Sequence, residues 1–352
     1  MATSIQIEYK QWLFMTKELY PYFHSLLKNH KGKQICANII QHWLLMMNRD
    51  TTLEKYPCFP LLSKFINFTG RHELIDELVN SLENKLFSKE KSIVIVNNLL
   101  KLIDQSHTKY SALKFDIKPE FKARIIQCGQ FKFLKFRNLH HLLQRQPLCE
   151  VTSMLLRYES LGNGGYQSGD PMELHLAYRE HYDVHYEGFA SPINSRFLEF
   201  DDCQFCSLFP EIDSKFGSLG NFFNISLTEY PGGWSVNPPF VDVVLKDAAI
   251  KVTTALESGA KSRFFCTYPI WKDSEGFMIL ANSEYLVKSF LVPEGRLQQD
   301  PYGELFTPTM GLSLFFLSYD CNDKFDKIAE IIEKHKNKEG KKIKHLSSKN
   351  IF

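Results

Sequence analysis

Long apolar runs and a secretory signal pattern are missing from this sequence. No stretch of its 352 residues approaches the roughly 18 consecutive apolar residues that a membrane-spanning helix requires. The first residues, MATSIQIEYKQW, lack the basic segment and apolar stretch of a secretory signal. Hydrophobic residues make up 44% and charged residues 23%, which excludes a disordered chain. We therefore expect an intracellular protein of the nucleus or the cytoplasm, with no membrane partner.

A cysteine framework is also missing, because the eight cysteines show no regular spacing. Cys203 and Cys206 form a single close pair. A structural zinc site needs four ligands, and neither a second cysteine pair nor a histidine pair accompanies these two. In a reducing compartment we expect free thiols and no metal.

The net charge of +2 conceals a strong asymmetry along the chain. Residues 1–149 carry 22 lysines and arginines against 12 acidic residues, whereas residues 150–322 carry 11 against 23. The last thirty residues are basic again, with 9 against 5. Such segments suggest separate parts with separate partners, and a basic part suits a polyanion.

The first 145 residues have mainly helical patterns. Apolar residues recur at three- and four-residue spacing in segments 35–47, 72–87 and 92–105. Two further helices are predicted at 151–162 and 172–182, flanking the loop GNGGYQSGD (162–170). This loop lacks the glycine spacing of a phosphate-binding loop, so we interpret it as a flexible connector.

Strand and helix patterns alternate after this loop, which indicates an α/β sheet. Strands are predicted from Val184, in TEYPGGWSV, and over 263–271 and 311–320, with a helix over 241–257. In such sheets ligands bind at the carboxyl ends of strands, where FASPIN (189–194) and NPPF (237–240) fall. We predict a basic helical domain over 1–148, a Rossmann-like domain over 149–322, and an amphipathic helix with a lysine-rich tail over 323–352.

Basic and aromatic residues interleave over 131–141. Lys132, Lys135 and Arg137 are positioned along this segment to contact phosphates, while the aromatic rings between them could stack on bases. The same alternation also fits a strand with a solvated basic face. Both interpretations stay open.

The NPPF turn suits chemistry on a planar amine. The exocyclic amine of adenine is a poor nucleophile, because its lone pair is delocalised into the ring. Asn237 offers a side-chain carbonyl and Pro238 a backbone carbonyl to hold the two amine hydrogens, and proline fixes their geometry. Pro239 stiffens the exit and Phe240 can stack on the base. The alternative is a strand that ends in an ordinary proline turn.

A methyl donor needs a second site. The end of the first strand of a Rossmann-like methyltransferase faces the donor, and here that end is FASPIN. Further along, Glu211 or Asp213 is a candidate for binding ribose hydroxyls, as acids near strand ends commonly do. Either acid also suits a turn or a helix cap.

Residues 150–320 resemble the cap-specific adenosine N6-methyltransferases, represented by the phosphorylated CTD-interacting factor. The landmarks occur in the same order and at similar spacing: LRYESL (156–161), YEGFASPIN (186–194), FCSLFPEIDSKFGSLG (205–220), VNPPF-x-Asp (236–242) and Phe265-x-x-x-Pro269-x-Trp271. The resemblance implies a helical domain followed by a Rossmann-like methyltransferase domain. It also implies S-adenosyl-L-methionine as donor and, as acceptor, the first transcribed 2′-O-methyladenosine beside the 7-methylguanosine cap of RNA.

The resemblance assigns roles to individual residues. Those that would hold the adenine are Asn237, Pro238, Pro239 and Phe240. Those that would line the donor pocket are Phe189, Ala190, Ser191, Pro192, Asn194, Asp213, Phe216, Gly217 and Ser218. Asp242, where the family carries an acid, and Trp271 are expected to contact capped RNA. The same contact is expected of Lys132, Lys135 and Arg137 from the basic and aromatic pattern of residues 131–141, not from the resemblance.

The sequence departs from the family in two places. With only four tryptophans and no paired-Trp pattern, it does not imply docking to phosphorylated polymerase tails. The last core strand reads Thr309-Met310-Gly311-Leu312 where the family tends to carry a His-Asn pair. Alternatives are therefore an adenine N6-methyltransferase acting on DNA or internal RNA, and a catalytically silent RNA-binding scaffold. The lysine and isoleucine content would suit a viral or unicellular version.

Overall fold

A computed structural model describes residues 4–27, 38–46, 72–162, 167–292, 297–303, 305–306, 311–319 and 325–336. They form two compact units, one from residues 1–134 with 146–163, the other from residues 135–145 with 164–352. Across the described ranges no helix is long and apolar enough to cross a membrane. The predicted domain limits at residues 148 and 322 stay a prediction.

The described helices follow the apolar patterns of the sequence. They are α1 (Ser4–Phe14), α2 (Tyr20–Ser25), α3 (38–46), α4 (His72–Lys85), α5 (Lys89–Ala112), α6 (Leu139–Arg145), α7 (Leu148–Ser160), α8 (Met172–Tyr182), α9 (Pro210–Asp213), α10 (Asp242–Glu257), α11 (Glu275–Ala281) and α12 (Asp326–Lys336). A π-helical segment, Met15–Leu19, joins α1 to α2, and short 3₁₀ turns cover Ser214–Phe216 and Leu227–Glu229.

The described strands are shorter and fall into three sheets. They are β1 (Glu120–Lys122), β2 (Ile125–Cys128), β3 (Phe131–Leu134), β4 (Val184–Glu187), β5 (Gln204–Phe205), β6 (Gly232–Val236), β7 (Ser262–Pro269), β8 (Leu286–Val292), β9 (Gln298–Gln299), β10 (Leu305–Phe306) and β11 (Leu312–Ser318). The sheets are β1-β2-β3, the pair β10-β9, and the six-stranded β5-β4-β6-β7-β11-β8.

The first unit combines the predicted helices with an antiparallel sheet, β1-β2-β3, that the helical patterns did not indicate. Phe131 and Phe133 on β3 are buried, and Lys132 between them is exposed. Over Phe131–Leu134 the alternation is thus a strand whose exposed face carries Lys132 and Leu134. Elsewhere in the unit, Arg157 on α7 binds Glu8 on α1 through two hydrogen bonds of 2.7 and 2.8 Å, with both side chains buried.

The second unit is built on the six-stranded sheet. Strand β4 is parallel to β5 and β6, and β6 is parallel to β7, whereas β11 runs antiparallel between β7 and β8. Phe264 packs in a core with α10, and the next residue, Phe265, packs in another core with α8 and α12. Successive strand residues point to opposite faces, so helices cover both faces of the sheet. The expected α/β, Rossmann-like fold class with a helical part before it is confirmed.

The two motifs leave adjacent parallel strands at the same edge of this sheet. Strand β4 ends at Glu187, directly before the FASPIN segment, and β6 ends at Val236, directly before NPPF. The backbone N–H of Gly188 donates to the carbonyl oxygen of Ser235 over 2.8 Å, which fixes the start of one loop against the end of the other strand. This edge is where ligands bind in open α/β sheets.

Candidate active site

Asn237 is held by a buried carboxylate at the end of β6. Its side-chain Nδ2 donates to Oδ1 of Asp170 over 3.3 Å. Asp170 also accepts from the Thr267 hydroxyl at 2.6 Å and from Nε2 of Gln298 at 3.3 Å. Because a carboxylate only accepts hydrogen bonds when ionised, the amide nitrogen of Asn237 faces Asp170, and its Oδ1 stays the acceptor of that side chain.

The pKa of the Asp170 carboxyl lies near neutrality. Burial raises the pKa of this carboxyl to about 7, although the Thr267 hydroxyl and the Arg196 guanidinium act in the opposite direction. Both protonation states are therefore populated at pH 7. Only the ionised state is a pure acceptor for Asn237.

The rest of the NPPF turn is partly accessible. Pro238 is buried, while Pro239 and Phe240 are half-buried. The Phe240 ring lies edge-on to Trp271, with 6.5 Å between centroids. Phe240 thus keeps part of its ring available for a planar partner.

An open groove continues from this turn. Trp271 lines it together with Asp242, the first residue of α10. The remaining lining residues are Val243, Lys246, Asp273, Ser274 and Glu275. The structure therefore places the two predicted RNA contacts, Asp242 and Trp271, on one surface beside Phe240, and their role stays a prediction.

The FASPIN segment is fixed by its own hydrogen bonds. Oδ1 of Asn194 accepts from the backbone N–H of Ser191 at 2.7 Å, and the Ser191 hydroxyl donates to Oε1 of Gln167 at 2.6 Å. The Ala190 N–H donates to the Cys206 carbonyl at 2.9 Å. Phe189 packs against Phe222, with 4.8 Å between ring centroids. The segment that follows β4 is thus a turn fixed by hydrogen bonds.

The second predicted donor segment lies next to the first. Beyond Cys206, the Ser207 and Ser218 hydroxyls are 2.8 Å apart. Gly217 takes a φ of +99°, a left-handed conformation that favours glycine. Asp213 and Phe216 are buried, however, and the side chain of Asp213 has no exposed surface. The FGS turn therefore shares an edge with FASPIN, and its donor-binding role stays a prediction.

Lys132 and Lys135 are exposed, but Arg137 is not a free surface cation. Its Nη2 donates to the Ser195 carbonyl at 2.9 Å, and its backbone N–H donates to the Pro301 carbonyl at 3.1 Å. The predicted phosphate contact of Arg137 stays a prediction. Its observed contacts support the loop that follows FASPIN.

A small cavity brings together residues that the sequence patterns kept apart. Three predicted residues, Phe189, Asn194 and Asn237, line it. The others are Ser168, Gly169, Asp170, His175, Glu187, Arg196 and Ser235, none of which the sequence analysis identified. The GNGGYQSGD loop was interpreted as a flexible connector, which is wrong for its described end, because Gly169 and Gln299 exchange backbone hydrogen bonds of 3.1 and 2.7 Å.

Glu187 and His175 form the buried floor of this cavity. Glu187 accepts from the backbone N–H of Arg196 at 3.0 Å and from the Ser195 hydroxyl. Nε2 of His175 lies 3.6 Å from Oε1 of Glu187 and 3.2 Å from the Ser235 hydroxyl. Burial raises the pKa of Glu187 and lowers that of His175 well below its ordinary value, so the imidazole is neutral at pH 7.

Two other features are not assigned to the candidate site. His185, Asp202 and Cys203 place potential metal ligands within 4.8 Å of one another. Arg179 binds Asp202 at 2.8 Å, and burial raises the pKa of the Cys203 thiol to about 12. Thr309 and Met310, where the family pattern is broken, lie outside the described residues.

Comparison with known proteins agrees with the landmarks. Residues 137–299 match the family model described as "Phosphorylated CTD interacting factor 1 WW domain". These residues include β4, β5, β6 and β7, the parallel strands of the large sheet. A mouse protein named "mRNA (2'-O-methyladenosine-N(6)-)-methyltransferase" is 31% identical over 133 residues, and the human protein of the same name is 30% identical over 133 residues.

Each match covers 36% of this chain and 18% of the relative, so the chain spans less than a fifth of the length of these curated relatives. The matching segment contains β4, β6 and both motifs at their carboxyl ends. The resemblance to the cap-specific adenosine N6-methyltransferases is thus confirmed over residues 137–299, the part of the chain that matches this family model.

Proposed function

We propose that the protein transfers a methyl group from S-adenosyl-L-methionine to N6 of the first transcribed 2′-O-methyladenosine beside the 7-methylguanosine cap of mRNA. The observation that carries this proposal is the fixed side chain of Asn237. Its amide nitrogen faces Asp170, in a cavity also lined by Asn194 of the FASPIN segment. The name shared by the mouse and human relatives supports the same acceptor.

Asn237 and Pro238 act on the acceptor amine. With Nδ2 bound to Asp170, Oδ1 of Asn237 accepts one amine hydrogen, and the Pro238 carbonyl accepts the other. Holding both hydrogens favours a tetrahedral nitrogen whose lone pair is free to attack the donor's methyl carbon. The nitrogen–carbon bond would form as the carbon–sulfur bond breaks, S-adenosylhomocysteine would leave, and one amine proton would pass to solvent. Phe240, which keeps part of its ring accessible, stacks on the base. The catalytic contribution is therefore position and fixed dipoles.

We place the reactive end of the donor beside Asn237, at the small cavity that Gly169 also lines. A Cβ at Gly169 would be in ordinary van der Waals contact, 3.9 Å from both Nη2 of Arg196 and Nδ2 of Asn237. When bound, the donor supplies an electrophilic methyl group on a sulfonium. Phe189, Ala190, Ser191, Pro192 and Asn194 would hold it, and the turn with Asp213, Phe216, Gly217 and Ser218 would close the adjacent edge.

Capped RNA is the proposed partner. The protein would bind it in the nucleus or the cytoplasm, and the proposed reaction uses no metal. Lys132 and Lys135 are exposed and would contact phosphates. Trp271 and Asp242 line the groove next to Phe240 and would contact the cap.

The test compares capped RNAs that begin with A or with G, using a labelled donor. We expect label only in the capped RNA that begins with A. Asn237→Ala should abolish transfer and keep S-adenosylhomocysteine binding, whereas Asn282→Ala, an exposed amide, should change neither. Equal labelling of both RNAs would exclude the proposal, and turnover of uncapped oligonucleotides would favour an enzyme for DNA or internal RNA. If the wild-type protein does not bind S-adenosylhomocysteine, a catalytically silent RNA-binding scaffold is favoured.

A further inference from the structure

Arg196 carries a buried donor that none of the described residues accepts from. The side chain is 2% exposed and lines the same cavity as Asn237. Its Nε donates to the Asp170 carbonyl at 2.9 Å, and its Nη2 donates to the Gln299 carbonyl at 2.6 Å. Its Nη1 is buried and has no hydrogen-bond partner among the residues that the structure describes. Two of the three guanidinium nitrogens thus fix the group, and the third is left for a ligand.

A buried guanidinium nitrogen without a partner is costly. Buried polar side-chain atoms are paired in the large majority of cases, because an unpaired one has lost its hydration without compensation. Burial already lowers the pKa of Arg196 to about 10, and the Arg137 guanidinium contributes in the same direction. An acceptor that enters the cavity would remove this penalty. Arginine is the side chain best suited to a carboxylate.

The other charges of the cavity specify the kind of carboxylate. Asp170 and Glu187 also line it, and both are acids, so a simple anion would meet repulsion. A zwitterionic α-amino acid group has a carboxylate for Arg196 and an ammonium that the two acids attract. Its net charge is zero, which suits a buried site. The cavity therefore favours an amino-acid end over phosphate or acetate.

We propose that Nη1 of Arg196 donates to the α-carboxylate of the methionine moiety of the methyl donor. This inference rests on the proposed function, since it concerns the donor of that reaction. Arg196 and Asn237 line the same cavity, and a Cβ on Gly169 would be 3.9 Å from both Nη2 of Arg196 and Nδ2 of Asn237. Arg196 is thus a donor-binding residue, which holds the amino-acid end of the donor in the cavity that the acceptor side chain also lines.

The experiment measures binding of three probes to the full wild-type chain by calorimetry. S-adenosylhomocysteine has the whole amino-acid end, decarboxylated S-adenosylhomocysteine lacks only the carboxylate, and 5′-methylthioadenosine lacks the entire end. We expect removal of the carboxylate to weaken binding about 10- to 100-fold, as for a hydrogen bond to a charged group. Equal affinity for the first two probes would overturn the inference. Binding of none of the three would overturn the proposed function itself.

Variants then assign the effect to Arg196. Arg196→Gln should bind the first two probes equally, and Arg196→Lys should keep part of the difference. Arg179→Gln is the matched control, because Arg179 binds the exposed carboxylate of Asp202 and should leave all three affinities unchanged. If Arg196→Gln folds and still distinguishes the carboxylate, the inference is wrong. If Arg196→Gln does not fold, Arg196→Lys decides, and an unchanged difference between the first two probes in that variant would overturn the inference.

Discussion

The side-chain amide of Asn237 donates to the carboxylate of Asp170 over 3.3 Å, although 67 residues separate the two in the chain. Asp170 is fixed in turn by the Thr267 hydroxyl on the neighbouring strand β7. The direction of the Asn237 carbonyl, on which the proposed chemistry depends, is therefore set by a residue outside the NPPF motif.

Asp170→Ala should reduce the rate of methyl transfer about 10- to 100-fold, because the Asn237 amide loses the group that orients it. Asp170→Asn should keep part of the rate, since its carbonyl still accepts from Nδ2. The double variant with Asn237→Ala should be no slower than Asn237→Ala alone, because the two residues act as one unit. The measurement is single-turnover kinetics with saturating donor. Glu257→Gln, at an exposed acid, is the control, and an unchanged rate in Asp170→Ala would remove Asp170 from the mechanism.

The raised pKa of Asp170, about 7, predicts a pH dependence with opposite signs for activity and stability. The transfer rate should rise between pH 6 and pH 8 as the carboxylate forms. Folding favours the protonated acid, so its contribution to stability is complete below the ordinary pKa of 3.8 and is lost as pH rises through about 7.

Urea unfolding of wild type and Asp170→Asn at pH 5 and pH 8 isolates this residue from other buried acids such as Glu187. Relative to the wild type, Asp170→Asn should have a higher free energy of unfolding at pH 8 than at pH 5. A constant difference between the two pH values would show that Asp170 does not titrate in this range.

The two motifs could be located from sequence because they follow strand patterns directly. The alternation of strand and helix placed FASPIN and NPPF at carboxyl ends, and β4 and β6 confirm those positions. Asp170 and Arg196 could not be found in this way, since they enter the cavity from a loop before α8 and from the chain beyond FASPIN. Their partners are backbone carbonyls and distant side chains, which leave no periodic signal.

Only the burial of side chains distinguishes the two interpretations of the basic and aromatic segment that begins at Phe131. Phe131 and Phe133 alternate with Lys132, and that pattern is the same for a base-stacking surface and for a strand with one buried face. Tertiary packing decides between them, because Phe131 lies edge-on to Trp12 in the core of the first unit. The sequence contains no information on which face meets that core.

Gly188→Ala should destabilise the protein by about 1–3 kcal/mol, the usual cost of overpacking a core. A Cβ at this position would lie 2.9 Å from the ring of Phe222, which is buried and cannot move freely. Because Phe189 packs on the same ring, affinity for S-adenosylhomocysteine should fall as well. Gly169→Ala is the matched control for stability, since its Cβ would meet nothing closer than 3.9 Å. Equal unfolding midpoints for the two variants would contradict this account.

Lys132 and Lys135 give a prediction about RNA that is independent of the methyl-transfer chemistry. Each is exposed, so replacing each with Ala should leave the unfolding free energy nearly unchanged. If each contacts one phosphate, each substitution should weaken binding of capped RNA and reduce the slope of log K against log salt by about 1. Lys261→Ala changes an exposed lysine just before β7 and should leave the slope as it is. Binding measured by fluorescence anisotropy over a series of salt concentrations decides the point, and an unchanged slope in Lys132→Ala and Lys135→Ala would place the RNA elsewhere on the protein.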